Sequence, residues 1–383
     1  MCFSKSRSSI PRNATRRKNS GKSSGRSLLM RHEMLAATTK SYGSPSVDWF
    51  ERLTGFREGK YEYTRSRLEV ERGELRSKIN GARYKTGVLE LAPLQSLRER
   101  VAAADGSSGR LKLRNISGDV RQLHQAPEFA GALFQVASQF NLLEMVSPRV
   151  TPEDGVTRYG SDGTQGPACA IAAGAGTIYR NYFVPFDGRH GQTKDRQLDG
   201  LADLGAMLGK LLNKPMHSLW TMQNGYALCS AEGLELIGAH LRAIDANELE
   251  QLRSLLRIGL HWDVEVTEMD RQTRPMVSQA FCSALPVAYT NVHAGLWQPF
   301  AELILEAAYE ATLWAAVLNA RRGASNIVLL TRLGGGAFGN EDRWIDAAMR
   351  RALEKAVDFD LDVRVVSYGP VSTAKLALET TFG

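Results

Sequence analysis

Residues 326–368 constrain the fold more than any other stretch. An apolar, β-branched run at 326–333 reads as a strand. It leads into Gly334-Gly335-Gly336-Ala337-Phe338-Gly339-Asn340, a segment too rich in glycine for a regular element. Residues 342–357 carry helical periodicity, and 361–368 alternate apolar and polar positions like a second strand. A strand, loop, helix and strand in that order join two parallel strands through a right-handed crossover. Parallel strands need cover on both faces, so the chain is expected to be α/β, with helices on either side of a sheet.

The other segments fit around that unit. Structure is expected from Val47 onward. Residues 48–53 read as a short helix stopped at Gly55, 74–88 as a hairpin about Asn80-Gly81, and 93–104 as a helix ended by a loop at 105–109. These pieces form an N-terminal elaboration over 47–110. The main domain then runs over 111–383. It has a strand at 111–116, a helical or mixed segment at 127–137 and a small-residue stretch at 164–179. Helices are expected at 198–212, 231–244 and 247–258, so that about 196–258 is a helical insertion. Strands follow at 261–266 and 281–289, then a long helix at 299–319. Glu302, Glu306 and Glu310 recur along that helix at spacing four and read as its solvent face.

The net charge of +7 is unevenly placed. Residues 1–32 hold nine Lys and Arg and no acid, which leaves 39 basic against 41 acidic side chains beyond them. Residues 1–46 are thus expected to be a disordered basic tail on a slightly acidic body. Such a body lacks the basic footprint of a nucleic-acid binder, and no nucleic-acid partner is expected. No apolar run is long enough to span a membrane, and no apolar segment of a secretory signal follows the early charges. Cys2, Cys169, Cys229 and Cys282 are widely spaced, which fits a reducing compartment. The expected location is intracellular, in the cytoplasm, with the tail open to a nuclear or organellar address.

Four places have the residue types that chemistry needs. The loop at 334–340 offers converging backbone N–H groups to an anion, though tight turns also need glycine. Gly118-Asp119-Val120 puts a carboxylate at the C-terminal edge of a strand, where α/β folds bind ligands; taken alone, a plain turn is the better account of it. Residues 151–175 carry Glu153, Asp154 and Asp162, then Thr164-Gln165-Gly166-Pro167 and many small residues, which suits a polar site or an ordinary loop. In a regular strand His261, Asp263 and Glu265 share one face, which suits an acid–base or metal cluster or a solvated face.

These elements in this order resemble the macrodomain superfamily, and within it a divergent branch, the MavL-type ADP-ribosyl-protein hydrolases. The resemblance implies a macrodomain-like three-layer α/β/α sandwich with a mixed central sheet. It implies that Asp119, beside Val120, recognises adenine, and that residues 137–141, ending at Asn141, form the family's Asn-bearing strand. It makes 163–176, with Thr164 and Gly166, the first phosphate loop. Gly334, Gly335, Gly336, Ala337, Phe338, Gly339 and Asn340 are the second, with Phe338 against the distal ribose. The usual Asn-Ala-Ala-Asn is not intact, and no Gly-Gly-Gly…Gln-Glu-Glu signature is present, so cleavage of poly-ADP-ribose is not expected. The branch implies removal of single ADP-ribose units from protein, with arginine linkages the expected target. No metal cluster is evident in the sequence, so a reaction without metal or other cofactor is expected. Asp154 and Asp162 are the leading candidate carboxylates, with Gln165 positioning ribose or water, and Asp263 and Glu265 come second. A non-catalytic ADP-ribose reader is the alternative.

Overall fold

The computed structural model describes residues 47–103, 109–269, 274–368 and 373–383. The tail expected over 1–46 and most of the loop expected at 105–109 lie outside the described residues. Seven strands make one sheet: β1 (Val88–Pro93), β2 (Lys112–Ser117), β3 (Leu133–Ala137), β4 (Arg257–Glu265), β5 (Met276–Cys282), β6 (Ile327–Leu330) and β7 (Asp362–Ser367). Their order across the sheet is β1-β4-β5-β3-β6-β7-β2. β4 runs antiparallel to both neighbours, and every other adjacent pair is parallel. The C-terminal ends of β2, β3, β5, β6 and β7 therefore meet along one edge.

Seven helices matter for the site and its support: α1 (Leu94–Ala103), α2 (Val120–Gln125), α3 (Gln165–Ala172), α4 (Gly174–Tyr182), α5 (Ala246–Ser254), α6 (Ala294–Arg321) and α7 (Asp342–Lys355). The expected crossover unit is present. β6 leads through the glycine loop into α7 and on to β7, which lies parallel to β6 with Ile327 opposite Asp362. Side chains alternate through the sheet as strand geometry requires. Leu133 packs with α1, α6 and α7, while Phe134 and Val136 pack with α2 and α3 on the other side. The result is the expected three-layer α/β/α sandwich on a mixed sheet.

Several local expectations need correction. The mixed segment at 127–137 holds the central strand β3; both its faces are covered, so Leu133, Phe134 and Val136 are all buried and no alternation shows. The Asn-bearing strand stops at Ala137, and residues 138–141 turn away. The strand expected at 281–289 is the last part of β5, followed by a 3₁₀ turn at Val287–Tyr289. A hairpin, Trp220–Gln223 with Tyr226–Cys229, turns at Asn224-Gly225, both with positive φ (46° and 79°). The acidic stripe of α6 is not all solvent face. Glu310 is 1% exposed and accepts from Arg98 of α1 and Arg351 of α7, while Glu306 pairs with Arg253 of α5.

The strand at 261–265 is not regular either. Opposite β5, its register shifts between His261 and Val264, and Asp263 has a φ of +53°. This bulge puts Val264, not Asp263, on the face of His261. Both meet Gly176 of α4, at 3.1 and 3.2 Å from where its Cβ would stand. Asp263 instead takes a double hydrogen bond from Arg322, and Glu265 binds Arg274 and the backbone N–H of Lys85. The three-residue face expected from alternation does not exist.

Candidate active site

The parallel strand ends carry two adjoining cavities. The first, about 160 Å³, has Glu144, Tyr226, Tyr289 and Phe338 among its walls. The second, about 280 Å³, holds Gly118, Asp119, Val120, Arg121 and Tyr368. Asp162, Thr164, Gln165 and Thr331 line both, so the two run together as one cleft. Either alone is smaller than a usual ligand pocket of about 300–1,000 Å³; joined, they reach that range.

At one end of the cleft, β2 runs out into Gly118-Asp119. One oxygen of Asp119 caps α2 by accepting from the N–H of Arg121 at 2.8 Å. The other accepts no hydrogen bond from the described residues. Tyr368, just past β7, is 89% exposed and offers a free ring face. Arg121 also lines this end, its guanidinium held by Glu268.

In the middle, β6 ends at Leu330 and the glycine loop begins. Gly334 has a φ of +74°, and a Cβ there would lie 2.5 Å from that of Ala284 and 2.6 Å from Asn340 Nδ2. Only glycine allows this fold-back. Asn340 fixes the loop by donating to the carbonyl of Leu285 at 2.8 Å. The loop's own turn bonds use the N–H groups of Gly335, Gly339 and Asn340. Those of Gly336, Ala337 and Phe338 donate to no described residue, which leaves three adjacent donors for an anion. Arg332 at the loop's start is tied down by Asp342 and Asp346. Gly334, Gly336, Ala337 and Phe338 face the cleft, whereas Gly335, Gly339 and Asn340 shape the loop without lining it.

The far end is aromatic. Tyr226, Tyr289 and Phe338 pack together with ring centres 5.2–5.5 Å apart. Tyr226 comes from the Asn224-Gly225 hairpin and donates to the carbonyl of Met145 at 2.5 Å. Burial, with Tyr289 beside it, pushes the Tyr226 hydroxyl well above its ordinary range, so it stays a neutral donor.

The stretch expected to be the first phosphate loop is largely helical, because α3 starts at Gln165 and α4 at Gly174. Its inner glycines serve packing: a Cβ on Gly174 would lie 2.9 Å from the Trp49 ring. Thr164 and Gly166 remain at the cleft. Asp162 Oδ1 accepts from the Thr164 N–H (2.9 Å) and hydroxyl (2.7 Å), while Oδ2 has no bond from the described residues. Gln165 lines both cavities but acts as a clamp. Its Oε1 accepts from the N–H of Ala137 (2.9 Å) and its Nε2 donates to the carbonyl of Gln135 (2.8 Å).

Beyond Gly335, Gly339 and Asn340, four more expected site residues do not line the cleft. Asp154 caps a 3₁₀ turn by accepting from Thr151. Asn141 is buried, with its amide spent on Leu143 and Gln197. Asp263 and Glu265 are held by Arg322 and Arg274, as described. In their place the fold brings in Glu144, Tyr226, Tyr289, Thr331 and Tyr368. Of these, only Tyr226 had a local signal, the Asn-Gly turn before it.

No family model matches this chain, and no curated protein matches it. Among solved structures, a poly(ADP-ribose) glycohydrolase from Thermomonospora curvata aligns with 82% of this chain and 94% of its own at 12% identity, with a TM-score of 0.40. The Deinococcus radiodurans enzyme in complex with ADP-ribose aligns with 76% of this chain and 92% of its own at 12% identity, with a TM-score of 0.39.

Proposed function

We propose that this chain is a macrodomain-type hydrolase that removes single ADP-ribose units from modified protein side chains, with arginine linkages preferred. The carrying observation is the order of groups along the single cleft: a carboxylate and an exposed ring, then three free backbone donors, then an aromatic wall with acids beside it. That order matches adenosine, diphosphate and distal ribose. Asp119 accepts from the adenine amino group, and Tyr368 stacks on the base. The N–H groups of 336–338 hold the diphosphate without a cation. Phe338 lies against the distal ribose.

The ribose C1–N bond breaks through an oxocarbenium-like state. Asp162, with one oxygen free, stabilises that charge and takes the proton of the attacking water. Aromatic rings and acids at this end also suit a departing guanidinium.

The test is release of ADP-ribose from arginine-modified protein, run beside a substrate modified on acidic side chains. Wild type should turn over the first, and Asp162→Ala should lose about 100-fold or more in kcat while still binding ADP-ribose. Binding without turnover would make the protein a reader. No binding by calorimetry would sink the reading. Phe338→Ala should weaken ADP-ribose about 10-fold, the loss of about 1.4 kcal/mol of ring contact.

A further inference from the structure

Glu144 is a buried charge that the fold does not explain. It is 2% exposed, yet it belongs to the wall of the first cavity with Gln165 and Gly166. Neither carboxylate oxygen accepts a hydrogen bond from the described residues. The nearest cation, Nη2 of the fully buried Arg180, stands 3.5 Å away.

Arg180 is fixed by other partners. Its Nε donates to the carbonyl of Leu142 (3.0 Å) and its Nη2 to the hydroxyl of Thr177 (3.1 Å). Nη1 faces Nδ1 of His261 at 3.4 Å, and the guanidinium lies 3.8 Å from the centre of the Phe281 ring. A pair kept only for stability gains most when the guanidinium closes on both carboxylate oxygens. A buried carboxylate left without hydrogen bonds costs several kcal/mol. Here the lone pairs are left over for a group that the protein does not supply. Gly166 lets the Glu144 stem pack at the cavity wall, since a Cβ there would lie 3.1 Å from Glu144 Cγ.

We propose that Glu144 is the acid–base residue of this site and gives its proton to the leaving nitrogen. This deepens the hydrolase reading above and rests on it. As the C1–N bond breaks, its electron pair goes to nitrogen, and the departing guanidine takes the Glu144 proton to become guanidinium. Water adds to C1 and gives its proton to Asp162; that proton then returns to Glu144 through solvent.

The surroundings suit the role. Burial raises the Glu144 carboxyl, and Arg180 offsets only part of the rise, which leaves it at about 7. The other titratable groups around it are Tyr159, whose hydroxyl accepts from the Glu144 N–H at 3.1 Å, Cys169 on α3, His261 behind Arg180, and Asp162 across the cavity. Burial holds Tyr159 and Cys169 protonated and His261 neutral. Of Glu144, Tyr159, Cys169 and His261, Glu144 is therefore the group that changes charge near neutral pH.

The experiment measures kcat against pH for wild type and Glu144→Gln on arginine-modified protein, with ADP-ribose affinity by calorimetry. Wild-type kcat should fall as pH rises through about 7. Glu144→Gln should lose about 100-fold or more and lack that limb, with affinity within threefold of wild type. Turnover by Glu144→Gln within threefold of wild type, in an active preparation, overturns the proposal and leaves the hydrolase reading standing. Should the variant fail to fold, the wild-type profile still decides: a kcat flat across neutral pH overturns it. A wild type that binds no ADP-ribose overturns both.

Discussion

Replacing Glu310 by alanine should destabilise the protein by about 3 kcal/mol, because it removes the buried carboxylate that two partly buried arginines share. Glu310 Oε1 accepts from Arg98 Nε (2.6 Å) and Trp314 Nε1 (3.0 Å), and Oε2 accepts from Arg351 Nη1 (2.7 Å). One carboxylate thus ties α1 and α7 to the middle of α6. Both arginines also bond Glu250 of α5, which keeps part of their charge compensated. That places the loss at the lower end of the range for a broken buried pair, about 3 kcal/mol, or a fall in Tm of roughly 4 °C. Thermal and urea unfolding check it. Glu302→Ala on the same helix, where the carboxylate accepts from Gln298 and pairs with no cation among the described residues, should stay within about 0.5 kcal/mol. Making Arg98 and Arg351 methionine together with Glu310→Met should recover much of the loss, since apolar side chains fill the same space without desolvated charge. An unchanged Tm for Glu310→Ala would show that these ions add nothing to the packing of the helices.

The same cluster sets the response to acid. Burial raises Glu310, but hydrogen bonds from Arg98, Arg351 and Trp314 outweigh it and hold the carboxyl below its ordinary range. Glu250 is held at about 2 against an ordinary 4.5, as the bonds and charge of Arg351 and its neighbours overcome burial. A folded-state pKa below the unfolded one means stability that is complete above about 4.5 and lost as pH falls toward about 2. His124 acts earlier. Burial lowers it from 6.5 to about 4, so the unfolded chain binds the proton first and stability already declines below 6.5. Glu144 opposes His124 over this range, because its folded-state pKa of about 7 exceeds the ordinary 4.5 and its protonation favours the folded chain. Unfolding free energy measured from pH 7 to 3 should therefore fall most steeply below about 4.5.

What could be read from the sequence follows the range of each interaction. β6, the glycine loop, α7 and β7 were legible because strand pattern, turn and helix all lie within about forty consecutive residues. Asp119 was legible for the same reason, as the residue that ends β2 and caps α2. β3 was not, because a strand covered on both faces loses its alternation and resembles any short apolar run. The bulge at Asp263 left no local sign, so His261 and Glu265 were placed together on a face that a positive φ takes apart. Glu144 lies in the loop after β3 and Arg180 on α4, with 35 residues between them, and nothing near either one forecasts that they meet. Glycines were ambiguous in another way. Sequence does not separate Gly336, which faces the cleft, from Gly174, which lets a helix rest on Trp49.

Gly166 falls on both sides of that division, and Gly166→Ala should be the most damaging small substitution in the site. An added Cβ would lie 1.9 Å from the carbonyl oxygen of Ala137, far inside contact distance. The obstacle is the backbone at the end of β3, which cannot rotate away as a side chain would. Glu144 Cγ, at 3.1 Å, blocks the other direction. α3 must then move off the strand, which breaks the clamp in which Gln165 bonds the N–H of Ala137 and the carbonyl of Gln135. Forced overpacking of this kind costs about 1–3 kcal/mol, and the lost clamp puts this case at the upper end. The functional effect should exceed the structural one. Asp162, Thr164 and Gln165 line both halves of the cleft, and a shift of about 1 Å in such groups reduces turnover about 100-fold. Gly163→Ala, three residues earlier, meets nothing within 4 Å and should leave stability near wild type. Equal behaviour of the two alanine variants in urea unfolding would mean that contact between α3 and the end of β3 does not hold the cleft in shape.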